Sequence, residues 1–393
     1  MKTLVLLLIP LAPLAACGRA GFDELPPPAD VAPDAPPPVL SCDAAPRFMT
    51  GTTTTRLAAT SIDDGYLVLS LDGNGQITGS SFQFSAADPM HPLTQATASV
   101  PIMSDANSVA AFAIGGNLFA SVPYGKTNLT GTKFVSLDPQ LMTVGTPTMS
   151  DGWYSGAGMV ARGTASNVAL LAQSLSTGEV DVGLIAADST QLIPTQPVIQ
   201  GSPLPANPTI ISATQPGGPA RFLVSWNAPG NPDAVHAQVL DDQLIPRTAA
   251  TKISADPTFG SENPRAAYAP VADRYLFAWS EKVGSGMDQV WLSLRDGNLA
   301  EVVPPIKIAA QGVLPVIAAG DDSFLVVWQD GGNPYRLGAA RVAKDGTNMA
   351  LGIPTTGGTT AGWDLVVHDG QPALVWVEAN GTGPNLWLDP LCH

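Results

Sequence analysis

Charged residues make up only 13% of this 393-residue sequence, about half the usual share, and bases are the scarcest, 18 Lys and Arg against 33 Asp and Glu. So little Glu, Lys and Arg leaves few residues for the solvent face of amphipathic helices. A net charge of −15 excludes nucleic acid and an anionic membrane surface as natural partners. There are 3 Cys and 4 His. His91, His236, His368 and His393 lie far apart, without the short spacing of a metal site, and no cofactor is indicated. No Gly-x-Ser-x-Gly elbow occurs. Residues 120–127 imitate a phosphate loop, but the segment after Lys126-Thr127 reads as a loop into a strand and not as the helix that phosphate binding needs. What the sequence has in plenty is Gly (39) and Pro (37), with 45% apolar residues. That combination reads as many short strands joined by tight turns around a real core, and it excludes a generally disordered chain.

The first 41 residues read as an address. Lys2 precedes an apolar stretch over residues 3–13, too short to span a bilayer, which takes roughly 20 apolar residues, and built like a signal peptide. Leu14-Ala15-Ala16-Cys17 resembles the lipobox of bacterial lipoproteins. The resemblance implies a signal peptide over 1–16, removed with Lys2 to leave a net charge of −16. It further implies acyl chains of the palmitate class on Cys17, holding the protein to a membrane by its N-terminal lipid. Gly18, where Asp would retain a lipoprotein at the inner membrane, implies an exported protein of the outer membrane, periplasmic or surface-facing. Residues 17–41 carry seven prolines, including Pro26-Pro27-Pro28 and Pro36-Pro37-Pro38, and form a tether that reaches at most roughly 70 Å at about 3.1 Å per residue.

From residue 56 the chain repeats with a period near 50. The clearest copies are Phe222-Leu223-Val224-Ser225-Trp226, Tyr275-Leu276-Phe277-Ala278-Trp279, Phe324-Leu325-Val326-Val327-Trp328 and Ala373-Leu374-Val375-Trp376. Weaker copies start at Tyr66, Leu118 and Val168, so the starts are 52, 50, 54, 53, 49 and 49 residues apart. Each unit holds four short strands; in the sixth they are expected at 314–319, 323–329, 337–343 and 349–354, with hairpin signals at Asp321-Asp322 and Lys344-Asp345-Gly346. The expectation is an all-β fold over residues 42–393, a seven-bladed β-propeller of four-stranded blades. The second strands are apolar throughout, as when neighbouring blades cover both faces, and the repeated Trp reads as packing between blades.

The seventh unit lacks a fourth strand, and the unassigned segment 47–53 can supply it, closing the ring with the N-terminal strand. Cys42 and Cys392 flank that junction and, in an oxidising compartment, are expected to form a disulfide. The Phe/Tyr-Leu-Val-x-Trp segments, the Gly-rich loops and strands such as Arg336-Leu337-Gly338-Ala339-Ala340-Arg341-Val342 resemble repeats in uncharacterised secreted lipoproteins of myxobacteria and relatives. The resemblance implies fold and address and no chemistry.

Function is expected on the loops between second and third strands, at 227–233, 281–287, 329–335 and 378–384, whose Asn, Asp, Gly and Tyr suit contacts with a polysaccharide or an envelope protein. The candidate binding face is Asn227, Asn231, Glu281, Asp330, Asn333, Tyr335 and Glu378. A non-enzymatic, monomeric binding or scaffold module is the leading reading. The alternative is a polysaccharide-active enzyme, glycosidase- or sialidase-like, at the channel mouth. Arg56, Arg162 and Arg265 lie on expected innermost strands and resemble the carboxylate-binding arginines of sialidases. The Asp-box repeats of that family are absent, and Asp364 is the one acid on those expected strands.

Overall fold

The computed structural model describes residues 47–390 apart from 51–53, 63–64, 73–75, 86–87, 101–108, 115–116, 127–128, 139, 152–158, 162–166, 174–179, 187–190, 200–204, 229, 231, 256–259, 285–287, 332–335, 352–358, 369 and 381–382. Cys17, Cys42, Arg162, Asn231, Asn333, Tyr335 and Cys392 therefore lie outside the described residues.

All regular structure among the described residues is β, in seven four-stranded antiparallel sheets. The first holds β2 (Thr54–Ile62), β3 (Gly65–Asp72), β4 (Ile77–Ser85) and β5 (Asp88–Val100), and the second β6 (Ala110–Ile114), β7 (Asn117–Lys126), β8 (Leu129–Leu137) and β9 (Thr143–Asp151). The third holds β10 (Met159–Ala161), β11 (Asn167–Gln173), β12 (Val180–Ala186) and β13 (Gln191–Ile199). The fourth is β14 (Ala206–Ser212), β15 (Arg221–Ala228), β16 (Ala234–Asp241) and β17 (Thr251–Lys252). β18 (Ser261–Ala269), β19 (Arg274–Glu281), β20 (Gln289–Asp296) and β21 (Glu301–Ala309) make the fifth. β22 (Val313–Ala319), β23 (Ser323–Gln329), β24 (Leu337–Ala343) and β25 (Asn348–Leu351) make the sixth, within a residue or two of expectation at all but its C-terminal end. The seventh is β26 (Thr359–His368), β27 (Gln371–Asn380) and β28 (Gly383–Pro390), with β1 (Arg47–Thr50) from the other end of the chain as its fourth strand. The first strand of each sheet lies against the first strand of the next, and β26 lies against β2.

The repeated segment is the second strand of every sheet, and its alternation explains why it is apolar throughout. Leu67 and Leu69 pack toward the second sheet, while Tyr66 and Val68 pack toward the seventh with Val366 and Val375. Each side chain in such a strand is thus buried on one neighbour or the other. The four repeated tryptophans each face the preceding sheet: Trp226 packs with Val182, Trp279 with Val239, Trp328 with Leu292 and Trp376 with Leu337. Trp279 and Trp376 are fully buried.

One device recurs in the turn between third and fourth strands. In Asp138-Pro139-Gln140-Leu141, Asp241-Asp242-Gln243-Leu244 and Asp296-Gly297-Asn298-Leu299, the aspartate Oδ1 accepts the backbone N–H four residues on at 2.9 Å. The leucine in each is left-handed, with φ of 66°, 63° and 67°, and fully buried. A left-handed Leu is strained by about 1–2 kcal/mol, and burying its side chain between sheets offsets that. In the sixth sheet Gly346 occupies the same place with φ 94°, against the Val303 side chain, where a Cβ would collide. The outer edges are blunted. Fourth strands carry Pro89 and Pro92 in β5, Pro147 in β9, Pro194 and Pro197 in β13, and Pro304 and Pro305 in β21. Proline cannot donate to another chain's ladder, so these edges resist edge-to-edge association.

Candidate functional site

The ends of the second strands and the loops that follow are tied to the next sheet by repeated hydrogen bonds. The residue after Trp226 is Asn227, whose Nδ2 donates to the Ser261 carbonyl at the start of β18. The residue after Trp279 is Ser280, whose Oγ accepts the Leu314 N–H of β22 at 3.1 Å. Farther out, the Asp233 carbonyl accepts Ser261 N–H at 3.0 Å and the Asp288 carbonyl accepts Gly312 N–H at 2.7 Å. These groups fasten one sheet to the next.

Two of the expected binding residues are therefore corrected. Asn227 is 2% exposed and Glu378 is 0% exposed, both still inside strands that run longer than expected, to Ala228 and Asn380. Neither is presented to a ligand at the loop face. Asp330 closes its own loop: its Oδ1 accepts the Arg336 N–H at 3.0 Å while its N–H donates to the Arg336 carbonyl at 2.8 Å. Glu281 is half-buried, and burial pushes its carboxyl above the ordinary range. Beside it on the same sheet, Lys282 pairs with Glu262, and burial together with the Glu262 charge pushes Asp288 up as well. Glu262 is not among the acids expected on first strands; β18, the first strand of the fifth sheet, starts at Ser261 and so includes it.

Three of the first strands, β14, β18 and β22, share a kink. Asn207, Asn263 and Leu314 have φ of 47°, 52° and 52°, each is followed by proline, and each sits where the register with the second strand slips. A left-handed residue before proline is doubly disfavoured, and such bulges re-aim the side chain that follows. That side chain is Thr209, Arg265 or Val316, each paired with the residue before its sheet's Trp; in the seventh sheet the corresponding partner of Val375 is Asp364. Thr209 shares a 2.6 Å hydrogen bond with Ser225. Asp364 accepts the Ala59 N–H of β2 through Oδ2 and the Leu365 N–H through Oδ1, both at 2.8 Å, so it clasps the seventh sheet to the first. Arg265 donates from Nη1 to the Pro264 carbonyl at 3.0 Å. Burial pushes its guanidinium below the ordinary value, and Asp364 counters in part. Arg56 lies on β2, with its side chain outside what is described. No group of three or more His, Cys, Asp or Glu that could hold a metal occurs among the described residues.

No protein-family model matches the chain, and no curated protein sequence matches it. Solved structures do. A chain of a mitotic checkpoint complex is 13% identical, over 91% of this chain and 96% of that one, with a TM-score of 0.54. Hydrazine synthase of Kuenenia stuttgartiensis is 9% identical, over 86% of this chain and 96% of that one, at 0.51. The β-propeller domain of the trilobed protease of Pyrococcus furiosus is 8% identical, over 86% and 98%, at 0.46. Likeness at such identities is one of fold.

Proposed function

We propose that the seven sheets are the blades of a closed seven-bladed β-propeller, and that this propeller is a non-enzymatic binding or scaffold module anchored in the cell envelope by a lipid on Cys17. The order of contact between first strands, the return of β26 to β2 and the strand β1 borrowed from the other end of the chain support the ring. The lipobox and the proline tether support the anchor. The proline-bearing outer strands support a monomer that does not pair through its edges. The partner is another envelope protein or a polysaccharide, met by the polar connectors around Glu281, Lys282 and Asp288.

The observation that carries a binding role over a hydrolytic one is the use of the inner acids. A glycosidase needs two carboxylates about 5–10 Å apart and at liberty to act. Among the described residues the first strands carry two acids, and both are engaged, Asp364 by the Ala59 and Leu365 amides and Glu262 by Lys282. The test incubates the full chain, in detergent, with a panel of envelope and extracellular polysaccharides and scores retained protein and released reducing ends together. Retention without release is expected; release would establish the polysaccharide-active alternative. Fractionation of a Cys17→Ala variant tests the anchor, which requires the variant to leave the membrane fraction.

A further inference from the structure

At the loop end of the fifth sheet, carboxylates gather that the bases beside them do not balance. Strand alternation fixes which way they point. Trp279 packs against the fourth sheet, so Glu281, two residues on in β19, faces that sheet too, as does Ser261, its ladder partner in β18. Asp233 closes the same gap from the other side, its carbonyl accepting the Ser261 N–H at 3.0 Å. On the opposite face of the fifth sheet, Ser280 reaches the sixth through Leu314, and its ladder partner Glu262 pairs with Lys282. Glu262, and then Asp288 and Asp233, push the Lys282 ammonium above its ordinary range, so all three acids lie around it. Asp233, Glu262, Glu281 and Asp288 thus surround a single lysine.

The cluster is short of cationic donors. Burial pushes the Glu281 carboxyl up, and the Trp279 indole pulls it back only in part. Burial, and then the Glu262 charge, push Asp288 up as well. An added cation favours the charged form of both. A separate observation points the same way. Ser261 is 0% exposed, and its Oγ, facing with Glu281 into the gap, has no hydrogen-bond partner. A buried hydroxyl left so is costly and calls for a partner from outside the chain. Among the described residues no three acids form a group that could hold a metal ion, so the chemistry that fits is N–H donors spread along a chain. Val283, between these acids, is 37% exposed and offers an apolar rest for the aliphatic stem of a Lys or Arg side chain. A neutral or anionic sugar polymer gains nothing from these charges.

We propose that the loop end of the fifth sheet is a docking surface for a basic segment of a partner protein, whose Lys or Arg side chains lay their stems on Val283 and their charged heads among Asp233, Glu281 and Asp288. This rests on the loop-face reading above and names the partner for this part of that face. The net charge of −15 draws such a segment in at long range, and salt that screens the attraction weakens the complex.

The test titrates the full chain, in detergent and at low and physiological ionic strength, with hexalysine, a fully deacetylated glucosamine hexamer, maltohexaose and calcium chloride, following calorimetric heats. Hexalysine is expected to bind and to weaken steeply with salt. The glucosamine hexamer, which has the charges without the aliphatic stems, is expected to bind several-fold more weakly, and maltohexaose and calcium to give no heat. Glu281→Gln with Asp288→Asn should weaken hexalysine about ten-fold, two partly buried charge pairs being lost. The ligand-free urea midpoint of that variant should equal or exceed that of the unaltered protein, because burial disfavours both carboxylates. Asp321→Asn with Asp322→Asn removes the same charge from the turn between β22 and β23, at the other end of the sheets, and should leave hexalysine binding unchanged. Should the first double variant fail to fold, Lys282→Gln, an exposed change, removes the competing ammonium and is expected to tighten hexalysine. Equal weakening in the two double variants, no weakening in the first, or a midpoint that falls with the affinity would overturn the assignment. So would calcium displacing hexalysine, a glucosamine hexamer that binds as tightly, or Lys282→Gln weakening the complex. Polysaccharide retention without hexalysine binding would refute this surface and leave the binding module standing.

Discussion

Replacing Asp273 by Asn perturbs the polar junction between the fourth and fifth sheets with little change of shape. Asp273 Oδ1 accepts Tyr268 Oη–H at 2.6 Å and Arg221 Nη2–H at 2.9 Å, and the Arg221 guanidinium also lies over the Tyr268 ring, 5.5 Å from its centroid. The Arg221 side chain is 11% exposed and that of Asp273 36% exposed. A hydrogen bond to a charged group contributes about 1.5–3 kcal/mol when buried, while an exposed ion pair contributes about 0.2–1 kcal/mol. A junction buried on one side and open on the other falls between them, so Asp273→Asn should cost about 2 kcal/mol at neutral pH.

The pH dependence separates charge from packing. Burial raises the Asp273 carboxyl, but the hydrogen bonds from Tyr268 and Arg221 outweigh it and hold it below its ordinary 3.8. A depressed carboxyl contributes its stability above the unfolded value and loses it as the pH falls through the folded one. Urea unfolding of both proteins from about pH 7 down to about pH 2.5 should therefore show a constant gap until near pH 4, then a narrowing gap. A gap of the same size at both ends would refute an electrostatic junction and leave only packing.

Three further outcomes follow from the same geometry. Trp279→Ala, which empties the largest fully buried side chain between the fourth and fifth sheets, should cost about 3–5 kcal/mol in urea denaturation. Arg47 pairs with Leu388 in the β1–β28 ladder, and in the sequence Cys42 lies five residues before the one and Cys392 four after the other. Non-reducing peptide mapping of the mature protein should recover a Cys42–Cys392 peptide, and reduction should lower stability by at most about 5 kcal/mol. Replacing Pro304 and Pro305 by Val returns backbone N–H donors to the fourth strand β21, and light scattering should then show more concentration-dependent association than the unaltered protein gives.

The repeat was legible because the second strand is buried on both faces: Phe222, Tyr275 and Phe324 each stand one residue inside β15, β19 and β23. The same logic failed at the ends of those strands. A polar residue closing an apolar run reads as the start of a loop, yet Asn227 and Glu378 are buried strand residues, and Asn227 spends its amide on the next sheet. The Asp-x-x-Leu turns carried a signal that could have been read, since three of them recur at one place in the period. The turn at Asp296-Gly297 is one of them: Asp296 Oδ1 accepts the Asn298 and Ala300 N–H groups, and the left-handed residue is Leu299 and not the glycine. The two-residue length of β17 had no sequence signal. Thr248 Oγ1 accepts the Val239 N–H and Ser254 Oγ that of Val235, each at 3.0 Å, standing in for a strand partner through tertiary geometry alone.

Amide hydrogen exchange on the full chain, with and without the polysaccharide or envelope fraction that retains it, tests the binding role most directly. A propeller that binds through its connectors predicts slowed exchange at 281–288 and at Asp330 to Arg336, with β21 and the other outer strands unchanged. Protection confined to the outer strands, or none at all while the protein is retained, would contradict it.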